Sequence, residues 1–546
     1  MVKKVIPLLL VVFFSVLSVL PLFHRGFPPT HDGEYHVIRF YEFYRVLSSG
    51  VFYPRWAPDL NFGYGVPLFN YVYPLPNYVA ALFHLLGFSF IDAFKYNLIL
   101  STVLGAIFIY FFVKELVDPI SGIVASVFFS FNPYRRVDVY IRGSVGEAWS
   151  IALIPGLLWA LFLLIKTEKT KFVPLAAILF SLLIFSHNIL ALLFLPFIFS
   201  FAVILIIQTK KKTRVIKNTL ISFLLGIGSS AIFWLPAIFE KQFVRGLEVY
   251  DYVKNFPDLS SLLIPSWGSG FAGQDGGNAM STQIGIANIL VIILNLFLIK
   301  KYKQKKLYFI PLFLLTWFFI LVWMMLPISV FLWKILPFFN YVQFPWRYLS
   351  VIVIVCSVLA GGIITQVKKK LLVGVFLIIL SIGTTISYTN FAYYHNRDDA
   401  YYTTRSNFID GTNSPGNAFN TIYISTRLLR TEKKAEFVLG GGSIVQKDIL
   451  PERQLFQIKA DSPSSVLLHT LYFPGWAAFD YGRTIPMYKT DDGLMKIFLV
   501  PGDHFITVRF TDTIIRRSAF LVSLLSLILL CIIILYSRKD HYENRH

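Results

Sequence analysis

Long charge-free apolar runs, separated by short lysine-rich clusters, dominate the first two thirds of the chain. A membrane-spanning helix needs about 20 mostly apolar residues. A charge at its middle costs roughly 2.5–3.5 kcal/mol. Twelve runs fit, at about 5–23, 96–113, 119–133, 149–165, 172–186, 189–207, 219–236, 283–299, 307–326, 349–366, 371–388 and 519–536. A further apolar stretch at about 71–91 is rich in Tyr, Phe and His. It reads as a helix lying at the outer interface, where such residues suit the headgroup zone. Counting it as a span would place the lysines after residue 299 outside.

The basic clusters predict orientation. Lys3 and Lys4, Lys114, Lys166 to Lys171, Lys210 to Lys217, Lys300 to Lys306, Lys368 to Lys370, and Arg538 with Lys539 share one side if the N-terminus is cytoplasmic. That is the positive-inside pattern. Five outer segments of real length then remain, at about 24–95, 134–148, 237–282, 327–348 and 389–518. In the first, "HDGEYHVIRFYEFYRVLSSG" (His31 to Gly50) puts Val37, Phe40, Tyr41 and Tyr44 at helical spacing, predicting an amphipathic helix. The last alternates with period two. Phe456, Ile458 and Ala460 share one face of a strand, and Ile506, Val508 and Phe510 share another. Turn signals at "FPGW" and "VPGDH" make this segment a small sandwich of short strands.

Composition narrows the class. Of 546 residues, 56% are hydrophobic and only 15% charged, against roughly 25% charged in soluble domains. This excludes a soluble globular chain and a disordered one. The net charge of +20 would suit nucleic acid, but the excess sits in the cytoplasmic hinges. Cys356 and Cys531 both lie in apolar runs, so no disulfide supports the outer segments.

Candidate chemistry gathers at the outer boundary. Asp32 is the first acid after the first run, beside His31, Glu34 and His36. It suits a general base on a hydroxyl, or a divalent cation (Mg or Mn) held with the histidines, or simple capping of the amphipathic helix. The second outer segment holds Arg135, Arg136 and Arg142 with Asp138 and Glu147. Three arginines there suit a phosphate or anchoring to lipid headgroups. His187, Glu240 and Arg347 end or begin spans on the same side. "GGGS" at Gly440 to Ser443 is not followed by Lys-Ser/Thr, and HExxH, CxxC and GxSxG are missing from the sequence.

At "HDGEYH", "PRWAPDLNFGYGVPLFNYVYPLPNY", "NPYRRVDVYIRGSVGEAW", "FSHNIL", "WLPAIFE" and "QFPWRYL" the chain resembles the bacterial membrane family labelled 6-pyruvoyl-tetrahydropterin-synthase-related. Its C-terminal "LYFPGWAAFDYGRTIPMY" and "FLVPGDHFITVRF" are similar to the end of YfhO-type proteins. Both groups resemble membrane glycosyltransferases of the C superfamily. The resemblance implies an all-α polytopic fold of about twelve transmembrane helices with a C-terminal extracytoplasmic β-sandwich-like domain. The expected units are 1–388, 389–518 and a final span with tail at 519–546. It implies a sugar on a polyprenyl phosphate as donor, and a glycan, glycolipid or protein as acceptor. It places the essential acid at Asp32 with Glu34 second, and second-loop acids at Asp138 or Glu147. Arg135, Arg136, Arg142 and Arg347 are the expected phosphate ligands. His31, His36, His187 and Glu240 are further acceptor or metal candidates. The rival reading is a lipid-linked-sugar flippase or other transporter. Such proteins keep ionisable residues near mid-membrane, whereas the proposed spans here contain no Asp, Glu, Lys or Arg.

Overall fold

A backbone in lipid must satisfy its own N–H and C=O groups, so apolar runs fold as helices. The computed structural model describes residues 2–246, 251–272, 278–302, 308–404, 411–424 and 428–543. Lys303, Lys305 and Lys306, used above for orientation, lie outside the described residues.

Helix α1 (Val2–Leu17) leads through a short turn to α2 (Gly33–Ser48), the predicted amphipathic helix. A Pro/Gly/aromatic loop follows, then α3 (Leu75–Leu85), which covers the interfacial stretch. Its 11 residues are about half a span's length. Next come α4 (Phe90–Leu116), α5 (Pro119–Ser130), the single turn α6 (Pro133–Arg136) and a π-helical turn, Val137–Arg142. They are followed by α7 (Val145–Thr167), α8 (Val173–Ser186), α9 (Asn188–Ile207), α10 (Lys212–Ser229) and α11 (Ala231–Phe239). The third outer segment carries α12 (Leu259–Leu263). The helical part continues with α13 (Ile286–Tyr302), α14 (Phe309–Met325), α15 (Val330–Ile335), α16 (Leu349–Ile363), α17 (Lys370–Gly383) and α18 (Asp399–Thr403). The chain closes on α19 (Ile514–Glu543).

The twelve apolar runs fall largely on these helices. Among the described residues, five helices are long and apolar enough to cross a membrane: Phe90–Leu116, Val145–Thr167, Asn188–Ile207, Pro345–Gln366 and Ile514–Ser537. Two bent pairs raise the number to seven if each is one span. The α10–α11 pair bends by 66° at a Ser-Ser step after Gly226 and Gly228, a common kink site. The α14–α15 pair bends by 85° at Pro327, which has no N–H to continue the ladder. Other runs form shorter helices. Helix α5 has 12 residues, about 18 Å of rise. Helix α7 and the 345–366 helix are 89% buried over their apolar windows and form the centre, whereas the last helix is 22% buried and peripheral. Helix α4 packs between α5 and α7, α16 lies on α5, and α19 runs along α10 and α11.

The C-terminal strands form two antiparallel sheets. One has the order β1 (Ala435–Leu439), β4 (Ser464–Leu471), β8 (Leu494–Leu499), β7 (Met487–Lys489). The other runs β2 (Gly442–Leu450), β3 (Arg453–Ala460), β9 (Gly502–Phe510), β5 (Trp476–Asp480), β6 (Arg483–Ile485). The expected inward residues Phe456, Ile458, Ala460, Ile506 and Val508 are buried, together with Val466, Leu468, Met495 and Ile497 of the first sheet. Phe510, placed on the same face, is partly buried against Trp476 and Trp56.

The first outer loop joins this core. Trp56 meets Trp476 edge-on at 5.3 Å. Glu452 accepts N–H bonds from Arg55 and Trp56, both 3.2 Å. Gly65, at φ +81°, lies against the Trp56 indole, where a Cβ would collide. Deeper in, Arg516 of α19 pairs with Glu240 at 2.9 Å, and Glu240 also accepts from Asn70 and Thr513. The loop, α11, α19 and the sheets are thereby held as one piece.

Candidate active site

The N-terminus of α2 and the second outer segment are stitched together. Backbone N–H groups of His31 and Asp32 donate to the carbonyls of Ile141 and Arg142, at 2.9 and 2.8 Å. Arg142 ends the π-helical turn, and Gly143, at φ +62°, lets the chain reverse into α7. A left-handed residue without a Cβ is what this crowded reversal needs, since a Cβ would press on Thr30 and Phe94. The widened turn places Asp138 and Glu147 on the same guanidinium. Arg142 lies 2.5 Å from Glu147 Oε2 and 3.2 Å from Asp138 Oδ1.

Glu147 is fully buried. Tyr134 donates to it at 2.5 Å, Ser350 at 2.8 Å, and the Arg347 Nε stands 3.8 Å away. Burial, then the Glu147 charge, pushes the Asp138 carboxyl well above its usual range, so Glu147 chiefly balances Arg142 and Arg347.

Above this cluster opens a cavity of about 490 Å³. His31 and Asp32 line it from just before α2, Tyr35, His36 and Arg39 from α2, Tyr73 from the loop before α3, and Arg142 from the π turn. His187 and Asn188 enter at the break between α8 and α9, and Trp346 and Arg347 come from the turn before α16. Asp32 stands at the N-cap position, yet its side chain accepts no capping bond, so the carboxylate is not spent on the helix. His187 has extended backbone. Its ring stacks on Tyr73 at 4.8 Å, and its Nδ1 faces the Leu190 N–H at 3.4 Å. With Nδ1 accepting, the neutral ring carries its proton on Nε2. Burial, then Arg347, holds His187 down at about 3. Burial and Arg39 likewise hold His36 well below its ordinary value, so both rings are neutral at physiological pH.

Of the residues singled out from sequence, His31, Asp32, His36, Arg142, His187 and Arg347 line this cavity. Six others do not. Arg135 and Arg136 turn inward, onto buried oxygen acceptors. Arg135 donates to Ala148 O and Thr102 Oγ1, and Arg136 to Ser18 O and Ser130 O. Glu34 pairs with Arg397 on the surface at 2.6 Å. Glu240 belongs to the Arg516 network, and Asp138 and Glu147 lie beneath the cavity. The acid–histidine set does not fit a cation. His31 donates Nε2–H to Ser269 O at 2.8 Å, Glu34 is drawn off to Arg397, and no three His, Cys, Asp or Glu side chains converge as a metal site among the described residues.

Sequence reasoning missed Arg39 and Tyr73. The signal for Arg39 was present: Asp32, Tyr35, His36 and Arg39 recur at spacings of three, four and seven, one face of a helix. Tyr73 carries no comparable signal, and burial pushes its phenol up to about 12.

Comparison with known proteins adds a family and distant likenesses. Residues 69–393 match the model described as 6-pyruvoyl-tetrahydropterin synthase related domain; membrane protein. A protein of Lactococcus lactis subsp. cremoris (strain MG1363), described as an uncharacterized protein, is 22% identical over 240 residues. That match covers 42% of this chain and 39% of the relative, so the chain spans about two fifths of the relative's length. The apo crystal structure of the Archaeoglobus fulgidus oligosaccharyltransferase is similar at TM-score 0.40 and 13% identity, over 73% of this chain and 56% of that one. The cryo-EM structure of the arabinofuranosyltransferase AftD from Mycobacteria is similar at TM-score 0.43 and 15% identity, over 70% and 27%.

Proposed function

Since the chain belongs to the 6-pyruvoyl-tetrahydropterin synthase related family of membrane proteins, we propose that it is a membrane glycosyltransferase. It moves a sugar from a polyprenyl-phosphate donor to an extracytoplasmic cell-envelope acceptor, with inversion. In this reading twelve apolar helices span the bilayer with both termini cytoplasmic. Residues 1–388 form the spanning unit, 389–518 an outer β-sandwich, and 519–546 the last span and tail. The carrying observation is that Asp32, Arg142 and Arg347, from segments far apart in sequence, line one cavity.

The chemistry follows from that grouping. The Asp32 carboxylate takes the proton of an acceptor hydroxyl. The hydroxyl oxygen bonds to the anomeric carbon as the bond from that carbon to the phosphate oxygen breaks. The lipid phosphate leaves with the electron pair, and Arg142 and Arg347 meet its charge without reorganising. Arg142 and Arg347 are preset because Glu147 holds both. His36 and His187, being neutral, donate hydrogen bonds without adding charge. Since the acid and histidines do not converge on a cation, no step is routed through one.

The test is Asp32→Asn in the full chain reconstituted in liposomes with a radiolabelled polyprenyl-phosphate sugar and envelope extract as acceptor source. A positioned general base contributes about 10²–10⁴-fold, so transfer should fall at least about 100-fold with an unchanged melting temperature. Full transfer by the variant would remove Asp32 as the base.

A further inference from the structure

A second chamber, of about 80 Å³, shares no lining residue with the Asp32 cavity. Pro133 of α6 lines it, with Gln283 and Asn288 from the entry to α13. Ser381 and Thr385 come from the end of α17, and Tyr388 from the turn beyond it. Gly285, at φ +94°, brings the chain entering α13 close to Pro133, and a Cβ there would stand 2.5 Å from the proline ring. This wall is therefore built on a position that favours glycine. The volume is several times the roughly 10–15 Å³ that a single water needs.

The lining is polar but uncharged: none of it is Asp, Glu, Lys, Arg or His. Gln283, Asn288 and Ser381 are each at most 3% exposed. The two amides spend their NH₂ groups on the protein, Gln283 on Ser266 O and Asn288 on Ile284 O, both at 2.7 Å. Their carbonyl oxygens and the Ser381 hydroxyl make no hydrogen bond with any described residue. Buried polar atoms of this kind need a partner, and here the chamber must supply it. Tyr388 is held in place by stacking on Trp267, at 4.6 Å and 12°. Acceptors, a hydroxyl and a fixed aromatic ring together suit a hydroxyl-rich ring, whose O–H groups donate and whose C–H edges meet the negative aromatic face.

Position says what carries that ring. The chamber lies at the first residues of α13 and the last of α17, which pack together. Along their length the two helices expose Ile286, Ile293 and Phe297, and Val375, Phe376 and Ile379. Acyl chains lie against such faces, and a headgroup then reaches the helix ends. A phosphate headgroup would meet no cation in the lining, and burying its charge unpaired is costly. We propose that this chamber binds the sugar headgroup of a neutral glycolipid, with its chains along α13 and α17. The site is separate from the Asp32 cavity and does not rest on the transferase reading.

The test is native mass spectrometry of the full chain in a polyoxyethylene detergent, which carries no sugar. The probes are monoglucosyl diacylglycerol, diacylglycerol with the same chains, phosphatidylglycerol, methyl glucoside, and farnesyl phosphate as a ligand for Arg142 and Arg347. Two or more neutral hydrogen bonds predict that the glycolipid binds about tenfold or more tighter than diacylglycerol or phosphatidylglycerol. Asn288→Leu removes an amide that bonds only within its own helix, and Ser381→Leu fills the chamber. Each should abolish that preference. Arg347→Gln and saturating farnesyl phosphate should leave it unchanged. On the wild type, a glucosyl diacylglycerol with a diazirine on the sugar should cross-link within 283–288 or 381–388, an arm that needs no variant to fold. Diacylglycerol or phosphatidylglycerol binding as well as the glycolipid, indifference to both chamber variants, or cross-links at the Asp32 cavity would each overturn the assignment. Methyl glucoside suppressing the cross-link as well as the glycolipid does would assign the chamber to a free sugar and overturn the lipid. Binding is read without turnover, so failure of sugar transfer would sink the transferase reading alone.

Discussion

Glu147→Gln leaves Arg142 with Asp138 as its remaining carboxylate and Arg347 with none among the described residues. Removing one partner of a buried ion pair costs about 3–5 kcal/mol, because the other charge stays buried. We expect this variant to melt at lower temperature in detergent and to lose farnesyl phosphate binding. Asp32→Asn, whose side chain caps nothing, should leave the melting temperature in place. The contrast measures which acid supports the fold and which the chemistry. At this scale the sequence told residue types but not directions. Arg135, Arg136 and Arg142 share a segment and a side-chain type, yet only Arg142 reaches the cavity. Which way each points depends on the carbonyls of Ser18, Ser130 and Ala148. Spacing within the segment cannot encode those partners. Arg39 could have been found by its helical register with Asp32. That it pairs with no carboxylate among the described residues shows only in the fold.

Among the elements, α2 and the strands were readable because each is a local pattern: period 3.6 in one, period two in the other. The π-helical turn was not, since one extra residue per turn leaves no hydropathy signature, and such turns often accompany functional sites. The contact between the first outer loop and the sheets was hidden for another reason. It depends on Glu452, a surface-type residue at a β turn, reaching the backbone of Arg55 and Trp56. Burial raises the Glu452 carboxyl from 4.5 to about 7, against the pull of those two N–H bonds. A folded pKa above the unfolded one means that the folded state binds the proton more tightly. The group's contribution is therefore complete below about 4.5 and is lost as pH rises to about 7. Wild-type melting temperature should fall between about pH 5 and pH 7.5 through this group. Glu452→Gln, which cannot ionise, should lose that part of the fall. An unchanged pH profile in the variant would show that Glu452 does not govern this contact.

For the whole molecule, the proposed orientation puts the cavity and the sheets on one side of the bilayer and the lysine hinges on the other. Cysteines introduced at Ser443 and at Lys211, both exposed, in a chain with Cys356 and Cys531 replaced by alanine, separate the two faces. A membrane-impermeant maleimide should label Ser443→Cys in intact cells and Lys211→Cys only after permeabilisation. The reverse pattern would put the cavity in the cytoplasm and remove the basis for an outer-leaflet donor. Hydropathy by itself determined that this chain is a membrane protein of many helices followed by strands, because lipid tolerates only self-satisfied backbones and a sheet repeats every second residue. Whether each short helix crosses is not a local property, since length, bend and burial by neighbours decide it together. The tertiary structure alone decided the cavity. Its walls come from residues 31 to 419, and the charge at each point of it is set by partners that only folding brings within reach.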